Sequence, residues 1–204
     1  MDNAIKLLQE WNAWSYDKDQ LLEEKSSNGG RYIMKGILQK ANTLNQNGRI
    51  YPIEILSREI RNYQKFIAER RALGELDHPE SSVVELKNAS HIITEAHMEG
   101  DVCYGTVEIL STPAGDILKS LVDSGVTLGI SSRGVGSTRR EGENQVVQDD
   151  FQLICWDFVS EPSTPGAFLM REGRDFSRED LDRHFTKTDR IDRVMNDILS
   201  WENE

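Results

Sequence analysis

The stretch LGISSRGVG, residues 128–136, brings two serines and an arginine to the end of an apolar run, among glycines. A serine becomes a nucleophile when a base stands within hydrogen-bond reach and donors face the oxyanion that attack creates. The apolar residues before Ser131 supply a rigid backing, and Gly129 leaves room on one side. Ser132, Arg133 and Gly134 offer backbone N–H groups as candidate oxyanion and substrate-binding donors, and the Arg133 side chain adds a positive charge. The matching base is expected in GELDHPE, residues 74–80. His78 there precedes a proline, which biases it to extended backbone. It stands among Glu75, Asp77 and Glu80, carboxylates able to fix an imidazole tautomer.

A serine–histidine pair commonly has a third group that orients the ring. Asp157, in CWDFVSEP, lies in the middle of an apolar strand pattern, where an ionised carboxylate is costly unless paired. His91, Glu95 and Asp77 compete for this third place. Asp77 is disfavoured because neighbours on an extended segment point opposite ways. Alternation also allows only one of Ser131 and Ser132 to face the histidine. Each residue has a plainer explanation as well: a small-residue turn, an exposed loop histidine, a strand-edge aspartate.

Other chemistries are excluded by pattern. A nucleophile elbow needs G-x-S-x-G, and Arg133 breaks it. No Gly-Lys-Ser/Thr follows to make a phosphate loop, and GVGSTR lacks the third glycine of a dinucleotide fingerprint. Gly134 stands where S-x-x-K would need lysine. The two cysteines, Cys103 and Cys155, lie in separate apolar segments with no CxxC, so they read as buried free thiols and not as a zinc site. No metal or organic cofactor is implied.

Several elements must position these residues. Residues 3–11 have helical spacing, and 12–30 read as a polar lead-in ending in SSNGG. A first strand is expected over 31–41, then a turn at Asn47-Gly48. In residues 52–71, Ile53, Leu56, Ile60, Tyr63 and Ile67 recur at steps of three and four, the mark of an amphipathic helix. A hairpin turning at 99–101 follows, then a short helix over 112–125 with Thr112 as cap and Gly125 as stop. Residues 126–132 form a strand entering a polar loop or hairpin, and 146–159 hold one or two more strands. Residues 171–204 carry mixed charge and few apolar positions. The expected class is α+β, a mainly antiparallel barrel or curled sheet with packed helices.

The chain has 204 residues, 37% hydrophobic and 29% charged, which is enough for one domain with a core and too apolar for a disordered chain. Its net charge of -11 argues against nucleic acid and against an anionic membrane as partners, since both need a basic footprint. No apolar run approaches the roughly 20 residues of a membrane span. The first residues lack the pattern of a signal peptide.

Five blocks in order, NQNGRIYP, ALGELDHPE, STPAG, LGISSRGVGS and WDFVSEPSTPGAF, resemble the prohead core proteases of large tailed phages, capsid-maturation serine proteases related to the herpesvirus assemblins. The resemblance covers roughly residues 31–170. It implies His78 as general base, Ser131 as nucleophile and a closed, mainly antiparallel β-barrel flanked by helices. It implies a protease domain at 31–170, a lead-in at 1–30 open to processing, and a helical tail at 171–204. Substrates would be the scaffold or core proteins and the major capsid protein of the immature head, inside the host cytoplasm. Cleavage would follow Glu preceded two residues earlier by an aliphatic residue. Self-processing is then expected after Glu10, in LQE, or Glu24, in LEE, whereas LGE at 73–75 should be protected by the fold. Herpesvirus enzymes use a second histidine and a pair of arginines; this sequence offers Asp157 and Arg133. A non-catalytic internal scaffold component and a hydrolase of small esters are the competing functions. Oligomeric state is left open.

Overall fold

The computed structural model describes residues 5–14 (the backbone alone at 10–14), 30–45, 47–79, 81–126 and 128–160. In chain order the elements are β1 (Lys6–Trp14), β2 (Tyr32–Lys40), β3 (Arg49–Ile50), α1 (Ile53–Ala68), β4 (Leu73–Glu75), a 3-10 turn (Leu86–Asn88), β5 (Ala89–Glu99), β6 (Val102–Ile109), α2 (Pro113–Asp123), β7 (Leu128–Gly136), β8 (Thr138–Glu141), β9 (Asn144–Val147) and β10 (Gln152–Ser160). The expected tail at 171–204 and most of the lead-in lie outside the described residues.

The strands form three sheets, ordered β1-β7-β10, β2-β6-β5-β4 and β3-β9-β8. All pairings are antiparallel except β3 with β9. A parallel bridge from Leu76 to Phe158 joins the end of β4 to β10, and the Asp77 N–H donates to the Phe158 carbonyl at 2.7 Å. This junction ties the second sheet to the first before the chain returns to β5. The expected α+β class with mainly antiparallel strands holds. The closed barrel does not: among the described residues β1 and β2 pack against each other with no ladder between them, so the strands make open sheets, not a ring.

The helix expected at 3–11 is also corrected, because its described residues from Lys6 onward belong to β1. The spacing of Ile5, Leu8 and Trp11 fits a helix, but Leu7 and Leu8 are both buried, on opposite faces. Leu7 packs with Val135, Ile154 and Cys155, whereas Leu8 joins the main core. Nine residues of β1 pair along one edge of β7, and that tertiary pairing overrides local propensity.

The helices follow their sequence signals. In α1, Ile55, Leu56, Ile60 and Tyr63 are buried, and the Tyr63 ring stands edge-on to Trp156 at 4.9 Å. Buried Glu59 accepts the Leu153 N–H at 2.9 Å, tying α1 to β10. In α2, Thr112 accepts from the Gly115 N–H at 3.0 Å, and Gly125 takes φ +74 beyond its end. β7 is buried at all nine positions, because strands cover both its edges and packed elements cover both faces. Small residues make this possible: a Cβ added at Gly134 would come within 2.4 Å of the Phe151 ring.

Candidate active site

Alternation along β7 puts Ser131 and Arg133 on one face and Ser132 on the other. The neighbouring strand runs antiparallel in register, so Asp157 lies opposite Ser131 and Cys155 opposite Arg133. A directly opposed cross-strand pair shares a face, which explains how a hydroxyl and a carboxylate from separate segments come together. His78 enters from the third direction. The bridge at Leu76 fixes the backbone against β10, and Asp77 takes φ +68 to turn the chain; the Asp77 carboxylate accepts the His78 N–H at 2.9 Å.

The result is a continuous chain of contacts. Ser131 Oγ lies 2.6 Å from His78 Nε2, and His78 Nδ1 lies 2.8 Å from Asp157 Oδ2. Ser131 is 2% exposed and the His78 side chain 10%. Burial alone would push the Asp157 carboxyl up, but the Arg133 guanidinium and the hydrogen bonds from His78 and the Glu75 N–H hold it down at about 2. Asp157 is therefore an ionised acceptor. Nδ1 of His78 must carry the proton it donates, which leaves Nε2 as the acceptor for the Ser131 hydroxyl. This is the tautomer a general base requires.

Arg133 does not occupy the place expected for it. Its fully buried guanidinium turns onto the acids behind the histidine. Nε donates to Asp157 Oδ2 at 2.8 Å, Nη2 to Asp157 Oδ1 at 3.1 Å and to Glu75 Oε2 at 3.3 Å, and Nη1 to the Ser81 carbonyl at 2.7 Å. Ser132 faces the core side, where its buried hydroxyl has no hydrogen-bond partner among the described residues. Gly134 is pressed against Phe151. All three lie in a strand paired on both edges, with a bulge in β10 between Leu153 and Cys155, opposite Gly134 and Arg133.

The three rivals of Asp157 are placed elsewhere. Buried His91 lies on the other side of β10, its Nε2 at 2.9 Å from the Trp156 carbonyl and its Nδ1 at 2.8 Å from Ser90 Oγ. Exposed Glu95 accepts from Thr106 at 3.0 Å. Among the described residues, the Asp77 carboxylate accepts from the His78 backbone N–H.

A model of the family "Prohead core protein serine protease" matches residues 15–176. The chain belongs to this family. It is 34% identical over 145 residues to the prohead core protein protease of Enterobacteria phage T4, covering 69% of this chain and 68% of that protein. The solved structure of the bacteriophage T4 capsid assembly protease is similar at a TM-score of 0.69 and 25% identity, covering 78% of this chain and all of that one. The span matched to the prohead core protease family includes His78, Ser131 and Asp157, and begins just after β1.

Two residues of this prohead core protease escape a reading for catalysis alone. Glu75 is completely buried, accepting from Arg133 Nη2 and from the Glu85 N–H, while its own N–H donates to Asp157 Oδ1 at 2.9 Å. The Cys155 thiol lies 3.3 Å from the same oxygen, and burial pushes its pKa well up, keeping it a neutral donor. The sequence places Glu75 near His78 but gives no sign that it turns inward; the register of β4 on β5 supplies that.

Proposed function

We propose that the chain is a serine endopeptidase of the phage prohead in which Ser131 is the nucleophile, His78 the general base and Asp157 the group that orients and charges the histidine. The observation that carries this reading is the continuous contact from Ser131 Oγ through both ring nitrogens of His78 to an ionised Asp157. As Ser131 Oγ attacks a substrate carbonyl, its proton passes to His78 Nε2. The imidazolium so formed is stabilised by the adjacent Asp157 charge, and it then protonates the leaving amine. Water activated by the same nitrogen resolves the acyl-enzyme. Arg133 keeps the Asp157 carboxylate ionised and fixes its direction.

Family membership and the T4 relative's description as a prohead core protein protease support action inside the immature head on scaffold or core proteins and the major capsid protein. Cleavage after Glu in an aliphatic-x-Glu context is the specificity we propose. Of the two lead-in sites, Leu8-Gln9-Glu10 lies in β1 with Leu8 buried, and Leu22-Glu23-Glu24 lies outside the described residues; Leu73-Gly74-Glu75 is β4 itself. Self-processing is proposed after Glu10 or Glu24; pairing of the first site within β1 requires that strand to open before it is cut.

Co-expression of the chain with a core protein tests the assignment. Ser131→Ala is expected to abolish processing and to lower kcat by about a millionfold; continued processing by that variant refutes the proposal. Mass spectrometry of active enzyme checks the self-cleavage, with a new N-terminus at Trp11 or Lys25 as the expected product and an intact N-terminus as the refuting one.

A further inference from the structure

Behind the proposed triad lies a charge arrangement larger than the triad needs. One guanidinium, Arg133, is shared by two fully buried carboxylates, Asp157 and Glu75. We infer that Glu75 is a positioning residue for catalysis, which acts through Arg133 to leave the buried cluster one negative charge in excess when His78 is neutral. This inference rests on the triad reading above.

The argument is one of charge and geometry. Arg133 and Asp157 alone would form a neutral, doubly hydrogen-bonded pair, through Nε to Oδ2 and Nη2 to Oδ1. A carboxylate saturated in this way has less attraction left for a cation on its far side. Glu75 changes the sum. Both of its oxygens face donors, Oε2 toward Arg133 Nη2 and Oε1 toward the Glu85 N–H. Two donors on its two oxygens, one of them the Arg133 cation, favour the ionised form. Burial pushes the Glu75 pKa up, against the pull of Arg133 and the Glu85 N–H. With one cation and two anions, the cluster is balanced only when His78 becomes an imidazolium, which is the species formed as Ser131 attacks. An excess charge in a low-dielectric site is costly, and its neutralisation during the reaction favours the transition state over the ground state.

Glu75 also fixes geometry from both ends. Its N–H donates to Asp157 Oδ1, and its side chain holds the segment that begins at Ser81, whose carbonyl accepts from Arg133 Nη1. Removing its charge while keeping its shape therefore separates the two contributions. Glu75→Gln keeps an acceptor for the Glu85 N–H and a similar volume; Glu75→Asp keeps the charge on a shorter stem.

The test follows phosphonylation of Ser131 by a fluorophosphonate, with loss of fluoride, per folded site, through the maximal labelling rate and the half-saturating probe concentration. E75Q is expected to lower the maximal rate about tenfold with the half-saturating concentration unchanged within twofold, and E75D to stay within threefold of the parent. A purely structural role would reduce the folded fraction and leave the rate per folded site alone. The inference is overturned if E75Q labels within twofold of the parent rate, or if E75D is as impaired as E75Q. If E75Q is insoluble, Glu75→Met removes the same charge without an unpaired amide and carries the same expectation. Ser131→Ala separates the two ideas: labelling that persists in S131A refutes the triad itself. Absent labelling in S131A, with E75Q at the parent rate, refutes only the role of Glu75.

Discussion

His78 and His91 flank β10 from opposite sides, bound to adjacent residues of that strand, and the contrast between their two surroundings shows what makes an imidazole reactive here. His78 meets a side-chain carboxylate at one nitrogen and a hydroxyl at the other, at the partly open side. His91 meets a peptide carbonyl and a buried serine hydroxyl, with its ring edge-on to Phe158 at 4.8 Å. Burial pushes the His91 pKa down to about 4, so this ring stays neutral and serves as a strut between β5 and β10. Each has a serine neighbour. Only the partner on the other nitrogen differs in charge.

Exchanging the two histidines for glutamine gives the largest expected contrast. His78→Gln should lower the maximal labelling rate by at least about 10⁴-fold, whereas His91→Gln should leave the rate per folded molecule within a few-fold, read by fluorophosphonate labelling against near-UV circular dichroism. Equal losses would erase the distinction. Asp157→Asn makes the surroundings of His78 resemble those of His91 by replacing a charged partner with a neutral one. It also frees the ring to adopt the wrong tautomer, so the maximal labelling rate should fall about 10⁴-fold, measured on the same probe.

A smaller effect sharpens the comparison through pH. The unfolded chain protonates His91 below about 6.5, but the folded chain resists until about 4. The unfolded state thus binds more protons across this window, and stability falls as the pH drops through it, by up to about 3 kcal/mol. Denaturant titrations between pH 7 and 4 should show this slope, and it should flatten in His91→Gln. The Asp157 contribution is distinct. Its folded value of about 2 lies below the ordinary 3.8, so its stabilisation is complete above that value and is lost only as the pH falls toward 2.

Much of the site was legible because burial and charge conflict visibly in the sequence. Asp157 stands among Cys155, Trp156, Phe158 and Val159, and a carboxylate there demands a partner. His78 was legible through the turn chemistry around Pro79. Arg133 was misread because alternation places it on the Ser131 face without saying whether its long side chain reaches outward or back; the antiparallel register of β10 decides that by presenting Asp157. β1 was misread because its apolar spacing suits either a helix or a doubly covered strand, and only the vacancy along β7 selects between them. The ring closure came from kinship alone, and no local pattern specifies how the last strand meets the first.

The position of β1 has a practical consequence. It lies before the part of the chain matched to the family, yet its nine residues seal one whole side of the strand that bears Ser131. Trimming the protein to the shared segment would strip that seal and bare a long row of backbone donors and acceptors. Such a row is a template for another chain, so a protein made without residues 1–14 would stick to its own copies, whereas one cut in the lead-in after folding would keep β1 seated.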